Sequence, residues 1–194
     1  MENLQRGQKL KWESLSPSKN LQVGLSGAVP GSTLDFSCFG VDAQDQLSDD
    51  RYFIFYNQKV SPCGALTSLG SSGDDSERYT ILLGDLPSTI RRLVFVITID
   101  GSGSMSALQD GYWRLYDTDG VKVAEFPFRG SDFADEKAII AGEIYYKDAW
   151  RVAAVGQGFN GGLSALLRHF GGEESEDIST AAATAQAPPL EKLS

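Results

Sequence analysis

The chain has 194 residues, 26 of them acidic and 17 basic, giving a net charge of -9 with 41% hydrophobic and 22% charged residues. This composition suits one globular domain with a well-buried core, and the acidic balance excludes a general nucleic-acid binder, whose phosphate affinity needs clustered Lys and Arg. The first residues, MENLQRGQKLKWE, lack the apolar run of a secretory leader, and the longest apolar run, 93–99, is too short to cross a bilayer, so a cytoplasmic protein without membrane insertion is expected.

Along the chain the hydrophobic period is mostly two. Leu21, Val23 and Leu25 alternate with polar or small residues, as do Leu34, Phe36 and Cys38, which predicts strands with one buried face. Further strands are predicted at 52–56, 78–83, 93–99, 111–117, 121–126, 138–147 and 150–154, each ending in turn chemistry. Asp117-Thr-Asp-Gly120 and Lys147-Asp148-Ala149 read as hairpin turns. Short strands at this spacing indicate an all-β fold, an antiparallel sandwich or barrel. Helical signals are few: short turns at 85–90 and 131–136, and a C-terminal helix over 163–170, where Leu163, Leu166, Leu167 and Phe170 share one face and Gly171-Gly172 ends the pattern. The domain is expected to span 1–172. Residues 173–194 turn acidic and then Ala/Thr/Pro-rich, a tail or linker with too few large apolar side chains to bury.

Carboxylates concentrate around the aromatic segment 47–77. Asp49 and Asp50 enter it, Asn57 leaves it, and Asp74, Asp75 and Glu77 follow a Gly/Ser stretch able to fold back beside them. Hard oxygen ligands on flexible loops suit Ca2+, which takes six to eight of them at ~2.3–2.6 Å. The competing reading is that these are solvated turn residues.

The motifs DDRYFIFYNQ, SPCGA, GDDSE, VFVITID and AVGQGFNGGLSALLRHFG, in that order, resemble the tellurium-resistance TerD family of bacterial stress proteins. The resemblance implies a two-sheet antiparallel β-sandwich that binds Ca2+ in loops at one end, acts through protein partners and is not an enzyme. Carried over, it makes Asp35, Asp50, Asn57, Gly73, Asp74 and Asp75 metal ligands, with Glu77 beside them after the inserted Ser76. The loop TSLGSSGDD is shorter than the family's, which leaves one ion, or two held weakly. The alternative is an interaction sandwich whose metal site has degenerated and which shows no calcium dependence.

Other motifs carry less. Asp100-Gly-Ser-Gly-Ser104 spells the DxSxS pattern of an A-domain metal site, but the sequence after it predicts a strand where that site needs a long helix. Gly156-Gln-Gly-Phe-Asn-Gly161 fits GxGxxG, yet no second parallel strand follows to form a dinucleotide crevice. Cys38 and Cys63 are expected as reduced thiols, and with the lone His169 they make neither a zinc set nor a catalytic pair.

Overall fold

The computed structural model describes residues 1–171. Its strands are β1 (Glu2–Asn3), β2 (Lys9–Lys11), β3 (Asn20–Ala28), β4 (Thr33–Val41), β5 (Phe53–Ile54), β6 (Leu66–Ser72), β7 (Asp75–Leu82), β8 (Arg92–Asp100), β9 (Gln109–Tyr116), β10 (Lys122–Phe128), β11 (Ala138–Tyr146) and β12 (Trp150–Phe159), followed by helix α1 (Leu163–His169). They form two six-stranded sheets, ordered β1-β10-β9-β3-β7-β6 and β2-β12-β11-β8-β4-β5. All pairings are antiparallel except β1 with β10. The expected all-β sandwich with a C-terminal helix is the architecture found.

The core lies between the sheets. Tyr79 and Trp113 from the first meet Phe95 from the second, with ring centroids 5.4 and 6.0 Å apart. Gly142 is required opposite Trp113, because a β-carbon there would come within 2.2 Å of the indole. Helix α1 packs on the outer face of the second sheet, Phe170 against Phe39 at 5.1 Å, with Leu163, Leu166 and Leu167 buried. The second sheet is thereby covered on both sides around β8. This is why β8 is a continuous apolar run rather than an alternating one.

Several local expectations change. Only Phe53–Ile54 of the predicted strand 52–56 joins a sheet. Asp49 accepts from the Arg51 N–H and starts a 3-10 turn, Asp50–Tyr52, before it. Gln58 then folds back, its Nε2 donating to the carbonyls of Asp50 and Phe53. The Gly/Ser stretch expected as a loop is strand β6, bulged at Gly70, where φ is +84°. Strand β12 runs on through Gly156, which takes φ +64° and bulges the ladder. The short helical signals at 85–90 and 131–136 form no helix over most of their length: the 3-10 turns found there are Leu83–Asp85 and Gly130–Asp132, which only enter those segments. The predicted tail, 173–194, lies outside the described residues, within which no helix is long and apolar enough to cross a membrane.

Candidate metal centre

Asp35 stands on β4 opposite Thr98, and Thr33 stands opposite Asp100. Cross-strand partners share a face, so Asp35 and Asp100 are diagonal neighbours on the outer face of the second sheet. Burial first, and then the Asp100 charge, push the Asp35 carboxyl up to about 6 from its ordinary value of 3.8. The loop after Asp100 is held from two sides. The Gly103 N–H donates to Ser32 Oγ at 3.2 Å, and the Lys137 ammonium donates to the carbonyls of Gly101 and Gly103. The segment continues into a 3-10 turn, Met105–Ala107, and then β9, without the long helix of an A-domain.

Asp50 is not brought to Asp35. Because Phe53 pairs with Phe39, the chain from Phe53 back to Asp50 runs away from Asp35, which already lies roughly 13 Å down the strand from Phe39. Asn57 is exposed beyond the Phe55–Gln58 bridge. Gly73 and Asp74 form the exposed two-residue tip of the β6–β7 hairpin in the first sheet, with Gly73 at φ +59°. The seven residues chosen from the sequence therefore divide between the sheets. Among the described residues, no three acidic, His or Cys side chains converge to hold a metal ion.

Two of the seven are already engaged. Asp75 is buried, and its carboxylate accepts from Tyr112 Oη at 2.5 Å, from Tyr116 Oη at 2.8 Å and from Arg78 Nε at 2.6 Å. Arg114 approaches it to 3.7 Å and pairs with Glu125 at 3.3 Å. Each guanidinium also covers a ring, Arg78 on Tyr116 at 4.0 Å and Arg114 on Tyr112 at 3.7 Å. Burial, and then the bond to Asp75, hold the Tyr112 phenol well above its usual range. Glu77 fills the β6 bulge, accepting from Ser68 Oγ at 2.9 Å and from the Gly70 N–H at 2.6 Å. The sequence reading missed this polar cluster. Its signal was the spacing of Tyr112, Arg114 and Tyr116, which alternation places on one face of β9.

Cys38 is buried and Cys63 exposed, both as free thiols. Burial would raise the Cys63 pKa, but hydrogen bonds with Ser61, Tyr52 and backbone groups bring it below the ordinary 9.0. The glycines of GxGxxG serve packing: Gly156 and Gly158 lie in β12, and a β-carbon on Gly161 would meet that of Ala165 at 2.3 Å.

The TerD domain model matches residues 1–170. The tellurium resistance protein TerD of Serratia marcescens is 31% identical over 186 residues, covering 87% of this chain and 96% of that protein. The chemical-damaging agent resistance protein B of Clostridium acetobutylicum is 37% identical over 135 residues, covering 64% of this chain and 97% of its own. General stress protein 16U of Bacillus subtilis is 29% identical, with coverages of 87% and 96%. The crystal structure of a telluride resistance protein homologue from Streptomyces coelicolor shares the fold, with a TM-score of 0.60 at 16% identity over 80% of this chain and 99% of that one.

Proposed function

This chain belongs to the TerD domain family of stress and tellurium-resistance proteins, and from that membership we propose a cytoplasmic module that acts by binding Ca2+ and protein partners rather than by catalysis. The observation that supports calcium is the Asp35–Asp100 pair. Two carboxylates on one sheet face, one raised to about 6 by burial and by the other's charge, gain from any cation placed between them. Asp35 and Asp100 would be the anionic ligands, with Ser102 Oγ, backbone carbonyls of the loop and water completing the oxygen shell. A bound ion would supply charge neutralisation, and its ligands Asp100 and Asp35 would tie the end of β8 to the start of β4. Two carboxylates are few for Ca2+, so this reading requires a weaker site than the seven-residue set implied.

The test is calorimetric titration with Ca2+ and with Mg2+, alongside melting curves with and without chelator. The expected result is a Ca2+-dependent rise in Tm that Asp35→Asn with Asp100→Asn removes and Asp74→Ala leaves intact. Absence of heat and of any shift in the unsubstituted chain overturns the calcium reading.

A second reading has its own support. Asp75 and Glu77 are satisfied by protein donors, as in a sandwich that needs no metal there. On this reading the chain is an interaction module indifferent to calcium, and chelator leaves its Tm unchanged.

A further inference from the structure

The hairpin of β11 and β12 ends in a row of aromatic side chains. Tyr146 and Trp150 are cross-strand partners, with ring centroids 5.4 Å apart and planes inclined at 66°. Trp12 directly follows Lys11, the partner of Arg151, so it continues the row opposite Trp150. These three rings line a cavity of about 270 Å³, with Trp12 buried at its base and Tyr146 exposed at its mouth. That volume is below the roughly 300–1,000 Å³ of a site for a drug-sized ligand, and suits one long side chain.

The charges of the lining favour a cation. Glu13 and Asp148 stand exposed there and make no ion pair with any described residue. Lys19 is the one basic residue of the lining, and its stem runs beside Gly84, where a β-carbon would meet Cδ at 3.9 Å. Aromatic faces attract cations, and a chain of net charge -9 draws cationic partners toward it.

The chain itself indicates which cation fits. Wherever a tyrosine face is covered beside a carboxylate, the group that covers it is a guanidinium: Arg78 on Tyr116 next to Asp75, Arg114 on Tyr112 next to Glu125, and Arg92 on Tyr145 next to Asp45. Arg91 lies over Tyr146 at 5.0 Å, but it lines the neighbouring cavity and not this one. On the Trp150 side, rings and carboxylates meet with no described arginine between them. A planar guanidinium can stack on the rings and donate to both carboxylates, which the compact ammonium of lysine does less well.

We infer that this pocket receives an arginine side chain from a partner protein, stacked on Tyr146 and Trp150 and hydrogen-bonded to Asp148 and Glu13. The inference rests on the partner half of the proposed function and is independent of calcium, so it is tested in chelator.

The probe is acetyl-Gly-Arg-Gly-amide, titrated into the full chain and followed by NMR. The Trp150 indole N–H and the Asp148 amide should shift and saturate. The same peptide with lysine should bind more weakly, and with citrulline, the neutral counterpart of arginine, it should leave both signals in place. Asp148 sits at φ +65°, a conformation asparagine tolerates, and Glu13 is exposed, so Asp148→Asn with Glu13→Gln keeps the fold. That pair should weaken binding about five-fold. No shift with the arginine peptide, equal affinity for the citrulline or lysine peptide, or unchanged affinity in the double variant overturns the inference. Saturable shifts confined to another surface overturn this pocket while leaving the partner reading standing.

Discussion

The carboxylate of Asp75 occupies the space above Gly24 that a side chain would fill: a β-carbon at position 24 would lie 2.3 Å from Asp75 Oδ2. Glycine at 24 and aspartate at 75 are therefore one feature, because the missing side chain on β3 makes room for the charge that β9 and β7 clamp. Gly24→Ala should lower stability by about 1–3 kcal/mol, as overpacking does, or expel the carboxylate from its tyrosines. Urea denaturation of the two chains checks this, and an unchanged midpoint would show that the cluster adapts freely.

Replacing the charge alone tests the role of Asp75. The Arg78 and Arg114 side chains are only 16% and 13% exposed, and Asp75 0%, so Asp75→Asn leaves the nearly buried Arg78 without a carboxylate partner among the described residues and Arg114 with Glu125 alone. A loss of about 3–5 kcal/mol is expected, equal with Ca2+ and with chelator. A loss seen only in the presence of Ca2+ would instead make Asp75 a ligand.

Asp35 sets the pH dependence. Its folded pKa is raised above the ordinary value, so its charge opposes folding: the penalty is absent below 3.8 and complete above about 6. In chelator, Asp35→Asn should raise Tm above that window and leave it unchanged below. Thermal melts across the pH range decide the matter, and a benefit confined to the acid side would reverse the assignment.

The two thiols should behave differently. Native protein should react with one equivalent of a thiol reagent at Cys63, while Cys38, fully buried and held well above the ordinary thiol range, should react only after denaturation. Tyr52→Phe removes one hydrogen bond that favours the Cys63 thiolate, so the midpoint of the pH–rate curve should move to higher pH. Two equivalents reacting at once in the native state would contradict the burial of Cys38.

The sandwich was readable because alternation along β3, β7 and β9 is a local property of one strand facing one core. The turns at 117–120 and 147–149 were readable for a similar reason, since Gly120 at φ +81° and Asp148 at φ +65° need residues that tolerate that conformation. What escaped depends on partners distant in sequence. Strand β6 is Gly/Ser-rich and pairs with β7 through a bulge that Glu77 of the facing strand satisfies. Strands β1 and β2, two and three residues long, have no periodicity to detect. The candidate site shows the same limit: Asp35 and Asp100 are neighbours by the β4–β8 register, whereas Asp50, close in sequence to the acids at 74–77, is carried elsewhere by the short pairing of β5.

The first eleven residues finish both sheets at once, β1 against β10 and β2 against β12. A chain shortened by that much would present two raw ladders, each with unpaired N–H and C=O groups facing solvent and ready to recruit a strand from a neighbouring molecule. Self-association, rather than simple unfolding, is the failure this amino-terminal clasp prevents.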